Sequence, residues 1–260
     1  MYQTLEENNS IIKEYTHTYF LSPAESNPMQ RMPITLLLAR LIEVATIHAN
    51  MLKIGFADLA KHNLSWVLTR VAIEMKRYPH VNEHYTIGTW VETFNTHGSE
   101  RSFEILDSSG KPMGYARSTW VAINKTTRQA GVLTSEMDAT LFVSDKECPI
   151  ARPQRLKPVA DIDADINEYR FKYSDIDFNR HVNSCKYVEL LLNQWSLDFH
   201  DNHRLERFEI AYTREAYFDD LVRVKISKGG LDHTAELVDD VETYCRARLV
   251  FVPEHYLNII

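Results

Sequence analysis

An α+β fold of two tandem units, each a curved antiparallel sheet wrapped around one long helix, is what the 260-residue sequence predicts. Three observations predict it. One long apolar helical stripe appears in each half of the chain. Period-2 alternation, the mark of strands with one buried face, follows each stripe. The order strand, helix, strands in the first half recurs in the second.

Taken in order, Glu14-Tyr15-Thr16-His17-Thr18-Tyr19 alternates as a strand, and Glu168-Tyr169-Arg170-Phe171-Lys172-Tyr173 matches it with Tyr at equivalent places. Ile34, Leu37, Leu38, Leu41, Ala45, His48 and Leu52 recur at spacings of three and four, as do Ser184, Tyr187, Val188, Leu191 and Trp195. Both patterns give one apolar helix face. Ile73–Arg77 through Tyr85–Ile87 then resembles Ile210–Arg214 through Val222–Val224, with Arg77 opposite Arg214 and Glu83 opposite Asp220. Tyr115–Val121 resembles Tyr244–Val250. Turns are marked by Ser108-Ser109-Gly110-Lys111-Pro112 and Lys228-Gly229-Gly230. Residues 135–165 carry Pro149, Pro153 and Pro158 with no clean period and read as a linker. The expected units are therefore 1–134, the linker 135–165, and 166–260. A lone apolar helix must be covered on several sides, and a curved sheet does this. Two such units pairing their sheets edge to edge make a double hotdog.

Composition narrows the function classes. With 44% hydrophobic and 25% charged residues the chain is an ordinary globular protein, not a disordered one. The net charge of −7 argues against nucleic acid as the main partner. Cys148, Cys185 and Cys245 form no C-x-x-C pair, which fits a reduced, cytoplasmic protein without a structural zinc site. Met1–Ser10 carries Glu6 and Glu7 and no apolar core, unlike a secretory leader. The apolar stretch Ile34–Leu52 is interrupted by Arg40, Glu43 and His48 and reads as a core helix, not a membrane span.

The polar stretch Ser174–Asn183 separates a strand from a helix. Asn183 or Ser184 fits an N-cap. A helix start offers unpaired N–H groups, which suit a developing oxyanion. Asp177, Asn179 and His181 alternate, so an extended approach points all three one way. A carboxylate, an amide and an imidazole so placed can activate and aim a water. Asp175-x-Asp177-x-Asn179 also opens like a calcium loop, but Arg180 stands where Gly is required and Lys186 where Glu is. His181 and Cys185 have i, i+4 spacing without a third metal ligand nearby. A plain polar turn with a capping Asn is the remaining reading.

Asp175-Ile176-Asp177-Phe178-Asn179-Arg180-His181-Val182-Asn183-Ser184-Cys185-Lys186-Tyr187 closely resembles the signature of the acyl-ACP thioesterases, departing only at Ser184. Trp66–Arg70, Arg77-Tyr78-Pro79, Thr89-Trp90-Val91 and Thr126-Thr127-Arg128 resemble the family in the first half, and the likeness runs collinearly over roughly residues 10–253. The resemblance implies the double hotdog and hydrolysis of a fatty acyl thioester on acyl carrier protein. It implies Asp177, Asn179 and His181 as catalytic residues, with Glu215 in Tyr212-Thr213-Arg214-Glu215-Ala216 as a further carboxylate. Ala216 replaces a family Cys, so no thiol nucleophile is expected there, and Cys185 is expected to pack. Either Glu215 or Asp177 is the base, and an acyl-carboxylate intermediate is an open alternative. The first half, with Ser22–Asn27 and no N-x-H where the second has its site, is expected to build the acyl pocket. That pocket is expected beside Ile34–Leu52, with Trp66, Met75 and Trp90 as lining. No cofactor is expected. Docking of an acidic carrier protein calls for basic residues, with Arg152, Arg155, Lys157, Arg170, Lys172, Arg180 and Lys186 as candidates. Arg180 is also a substrate-binding candidate. A homodimer is compatible with the reading. An acyl-CoA thioesterase and a non-catalytic acyl-binding module are the alternatives.

Overall fold

The computed structural model describes residues 12–133, 142–159, 164–227 and 230–254. Parts of the expected linker, and Lys228 and Gly229 of the second predicted turn, lie outside the described residues. The first half holds strands β1 (Glu14–Phe20), β2 (Leu64–Met75), β3 (His84–Phe94), β4 (Gly98–Asp107) and β5 (Pro112–Asn124), with helices α1 (Ile34–Met51) and α2 (Phe56–Ala60). The second holds β6 (Ala164–Arg170), β7 (His203–Tyr212), β8 (Leu221–Ser227), β9 (Asp232–Val238) and β10 (Thr243–Pro253), with α3 (Ser184–Leu192) and α4 (Leu197–Asn202).

All ten strands form one sheet in the order β1-β3-β4-β5-β2-β7-β10-β9-β8-β6. Read from each edge inward, the two halves have the same order, so the repeat predicted from sequence is a repeat of topology. The halves join edge to edge through the antiparallel β2–β7 ladder, which leaves neither inner edge open. Ala72 lies opposite Glu209 at the centre of that seam. The same spacing of 137 residues separates Arg77 from Arg214. Glu209 is buried, and its carboxylate is satisfied by Arg207 Nε at 2.8 Å and by the backbone N–H of Gln154 at 2.9 Å.

Helix α1 forms because its apolar residues fall on one stripe, and Leu37, Leu38, Leu41, Val44 and Ala45 are buried in the main core. By length and composition α1 is apolar enough to cross a membrane, but here that stripe faces the sheet and α3. Truncating Leu41 to Ala should cost about 2–5 kcal/mol. Helix α3 starts where Asn183 accepts a hydrogen bond from the N–H of Cys185 at 2.8 Å. It stops at Leu192, so Trp195 is not on the predicted helical stripe but packs beyond its end against Phe199 and Phe251.

One expected alignment is corrected. The sequence pairs Tyr19 with Tyr173, whereas the structure makes Tyr169 the counterpart of Tyr19. Tyr19 lies opposite Tyr85, and Tyr169 lies opposite Val222, which follows Tyr85 by the same 137 residues. Strand β6 ends at Arg170, and Tyr173–Asp175 is a 3₁₀ turn, as Pro23–Glu25 is. The slip is four residues, an even number, so it keeps every side chain on its face and the alternation cannot reveal it.

Candidate active site

The loop from Tyr173 to α3 repeats the loop from Pro23 to α1, displaced by 150 residues. In each, a carboxylate caps the 3₁₀ turn: Glu25 accepts from the N–H of Ser22, and Asp175 from that of Lys172 at 2.8 Å. Buried Asp175 also accepts from Tyr169 at 3.0 Å and lies 3.2 Å from Lys186, and its carboxyl is lowered in pKa by those partners despite desolvation. The first ligand of the calcium-like pattern is thus committed to the fold.

The next turn places the candidate residues. Asp177 N–H donates to His181 C=O at 2.7 Å, and Arg180 N–H to Asp177 C=O at 3.0 Å. Arg180 is left-handed, with φ 67°. The segment is therefore a tight turn bridged by Ile176 and Val182, not the extended run that the alternation suggests. A turn nonetheless brings Asp177, Asn179 and His181 to one cavity. Asp177 Oδ1 accepts from the N–H groups of Asn179 at 2.8 Å and His181 at 3.1 Å, so this carboxylate holds the turn closed. The side-chain amide of Asn179 bonds to no protein group among the described residues.

Glu215 follows β7. Its Oε1 lies 3.4 Å from Nδ1 of His181 and is ion-paired with Arg128. The His181 ring meets Tyr217 edge-on at 5.2 Å. A proton carried on Nδ1 would face this carboxylate and leave Nε2 as acceptor. Buried Ala216 fills the position after Glu215; its N–H donates to Tyr187 Oη at 2.9 Å and its carbonyl accepts from Val182 at 2.8 Å.

The N–H groups after Val182 are fewer than expected as oxyanion donors. Asn183 donates to Asp175 C=O at 2.8 Å, Cys185 to Asn183 Oδ1 at 2.8 Å and Lys186 to Asn183 C=O at 2.9 Å. Ser184 N–H donates to no protein group among the described residues, and Ser184 lines the cavity.

That cavity holds about 640 Å³ and runs from this turn into the first half. Its walls are Ile42, Ala45 and Ala49 of α1, Ser65–Thr69 of β2 and Trp120 of β5. Trp66 lines it as expected, its Nε1–H fixed to Ile54 C=O at 2.8 Å. Three expected lining or binding residues do not. Trp90 is buried on the opposite face of the sheet against Cys148 and Ile150, with Lys146 Nζ 4.5 Å over its ring. Strand β3 is covered on both faces there, so burial could not say which face Trp90 takes. Met75 is core at the far end of β2, and Arg180 is exposed outside the cavity. Phe178 of the turn meets Phe56 of α2 edge-to-face at 5.9 Å, joining the two halves beside the cavity.

Burial raises the Cys185 thiol to about 11 and that of Cys245 to about 12, so neither is a ready thiolate. Deeper in the cavity wall, Arg101 Nη1 donates to Nδ1 of His48 at 2.8 Å, and His48 Nε2–H donates to Ile12 C=O at 2.8 Å. Desolvation, then Arg101, pushes His48 down to about 4.

Comparison with known proteins bears on the family and the fold. Residues 12–141 match the acyl-ACP thioesterase N-terminal domain and 160–251 the C-terminal domain. The chain belongs to the acyl-ACP thioesterase family. A structure of an acyl-ACP thioesterase from Bacteroides thetaiotaomicron is 32% identical with TM-score 0.87, covering 92% of this chain and 98% of that one. The 12:0-ACP thioesterase of Umbellularia californica shares the fold, at 23% identity and TM-score 0.83 over 93% of this chain and 98% of that one. A palmitoyl-acyl carrier protein thioesterase of Gossypium hirsutum is 26% identical over 93% of this chain and 64% of its own length. The chain spans less than two thirds of the length of this and other curated relatives.

The two halves are unequal at this site. By the 150-residue displacement, Asn27, Met29 and Arg31 stand where Asp177, Asn179 and His181 stand. Tyr78 stands where Glu215 does, by the 137-residue spacing. The first-half counterpart of the site is therefore Asn27–Pro33, a few residues beyond the Ser22–Asn27 that the sequence suggested. Sequence reasoning missed Arg128 as a site residue, although Thr126-Thr127-Arg128 carried part of the resemblance. The signal was Asn124 two and three residues before two Thr, a side chain able to fold a turn.

Proposed function

We propose that this chain hydrolyses fatty acyl thioesters carried on acyl carrier protein, releasing the fatty acid and the carrier thiol. The observation that carries this is His181 Nδ1 3.4 Å from Glu215 Oε1 at the head of a largely apolar cavity lined by both halves. A cavity of about 640 Å³ is of ligand size. The acyl chain lies along α1 and β2, and its carbonyl sits at the start of α3.

In this reading Ser184 N–H, at the positive end of α3, polarises the carbonyl oxygen. Asn179 orients a water. The pair Glu215–His181 accepts the water proton as its oxygen bonds to the carbonyl carbon. The C–S bond then breaks and the proton passes to the leaving thiolate. Asp177 positions the turn, since its Oδ1 already accepts two N–H groups.

Docking of an acidic carrier uses the basic residues that remain exposed: Arg155, Lys157, Lys172 and Arg180. Lys186 is held by Asp175 and Glu189, Arg152 by Glu92 and Glu100, and Arg170 by Asp219.

The test is thiol release from matched C8–C18 acyl-ACP and acyl-CoA. Preference for acyl-ACP, with turnover lowered by about 10²–10⁴ in His181→Ala and Glu215→Gln, is expected. Equal use of acyl-CoA would make this a general thioesterase. Undiminished turnover in folded His181→Ala would remove the site.

A further inference from the structure

We propose that Arg128, carried by the first half, is a positioning residue for the carboxylate of Glu215 in the second half. The proposal rests on the reading of Glu215 as part of the hydrolytic pair.

Arg128 is ion-paired through Nη2 with Oε1 of Glu215, the same oxygen that faces Nδ1 of His181. One carboxylate oxygen is thus shared by a guanidinium from one half and an imidazole from the other. Glutamate has three rotatable side-chain bonds, and one contact to His181 leaves its carboxylate free to swing. A second, charge-assisted contact fixes it.

The turn that presents Arg128 is built for the purpose. Asn124 Oδ1 accepts from the N–H groups of Thr126 and Thr127, both at 3.0 Å, and Asn124 C=O accepts from Arg128 N–H at 2.9 Å. Asn63 reaches across from the start of β2: its Nδ2 donates to Thr126 Oγ1 at 2.9 Å, and its C=O accepts from Lys125 at 2.9 Å. Arg128 itself is left-handed, with φ 60°, a conformation that a residue with a Cβ adopts only when its surroundings impose it.

The pseudo-twofold supports this assignment. The turn follows β5, and the seam sets β2 antiparallel to β7, which brings the end of β5 beside the loop after β7. At the other end of the seam, Glu254 follows β10 and is ion-paired with Arg31, the counterpart of His181. In both halves, then, the segment after the last strand reaches across to the turn before the other half's helix. In the first half the contact is direct and closes a site without an imidazole; in the second it passes through Glu215.

The experiment measures kcat and KM for acyl-ACP in Arg128→Gln, Arg128→Lys, Glu215→Gln and the double variant Arg128→Gln/Glu215→Gln, with thermal melts to confirm folding and single-turnover assays for the slow variants. Positioning predicts a fall in kcat of about 10²-fold in Arg128→Gln with KM nearly unchanged. Arg128→Lys keeps the charge without the planar fork and should recover part of the loss. In the double variant the two losses should not multiply, because both act on one carboxylate. Unchanged kcat in Arg128→Gln beside an impaired Glu215→Gln would overturn the proposal and leave the hydrolytic pair standing. A rise in KM alone would also overturn it, making Arg128 a substrate contact. Full activity in Glu215→Gln would remove both the pair and the residue said to position it.

Discussion

Gln30 and Arg180 lie 150 residues apart at the same corner of two copies of one turn, and both are left-handed, at φ 58° and 67°. Around them the hydrogen bonds repeat. Gln30 N–H donates to Asn27 C=O at 2.9 Å and Arg31 N–H to Asn27 Oδ1 at 3.0 Å; Arg180 and His181 make the same bonds to Asp177 at 3.0 and 3.1 Å. The turn is therefore scaffold in both halves, and chemistry enters only through the side chains placed on it.

Since Asn27 does for the first turn what Asp177 does for the second, Asp177→Asn should keep the fold. Turnover should stay within about tenfold of the parent, short of the 10²–10⁴ loss of a proton-transfer group. Asp177→Ala removes both side-chain acceptances and should lose about 1 kcal/mol for each. Melting curves and kcat on acyl-ACP check this; a collapse of kcat in folded Asp177→Asn would make Asp177 the base.

Ser184→Pro deletes the one N–H assigned to the carbonyl oxygen. Proline is tolerated at the first helical residue, and Asn183 at φ −60°, ψ 135° already has the backbone a residue before proline adopts. The variant should melt near the parent temperature yet lose about 10²–10³ in kcat, as expected for an oxyanion donor. Ser184→Ala, which keeps the N–H, is the control and should lose far less.

Ala45 and Ala49 present methyl groups of α1 to the cavity. Ala49→Leu should shorten the preferred acyl chain, read as a shift of the kcat/KM maximum across C8–C18 acyl-ACP. Overpacking should cost about 1–3 kcal/mol of stability.

Folding stability should fall in acid through His48. Its folded pKa is depressed to about 4 by burial and by Arg101, while the unfolded value is about 6.5. Between these the unfolded chain binds the extra proton, so the contribution is whole above pH 6.5 and is lost as pH falls towards 4. At about 1.4 kcal/mol per unit the loss reaches about 3 kcal/mol. Arg101, Glu14 and the Ile12 carbonyl are the groups that act on the ring. Denaturation midpoints from pH 4 to 7 should slope less in His48→Gln than in the parent.

Glu215 came only through the resemblance of Tyr212–Ala216 to the acyl-ACP thioesterases; the sequence by itself determined the repeat, the two core helices and the polar segment Asp177–His181. Each of these is local: a period of 3.6 or 2, or a run of polar residues before an apolar stripe. Only the tertiary structure decided which face Trp90 takes, that Met75 lies away from the cavity, and that four residues separate the true register of β6 from the apparent one. It also decided that one N–H, not several, remains at the start of α3, and that Arg128 reaches Glu215. The N–H count at α3 follows from the local fold of Asp175 and Asn183 onto the helix start; two physical reasons account for the other four. Strand periodicity survives an even slip and cannot separate two buried faces. Hydrogen bonds between segments far apart in sequence form only when the β2–β7 seam sets the end of one half against the loop of the other.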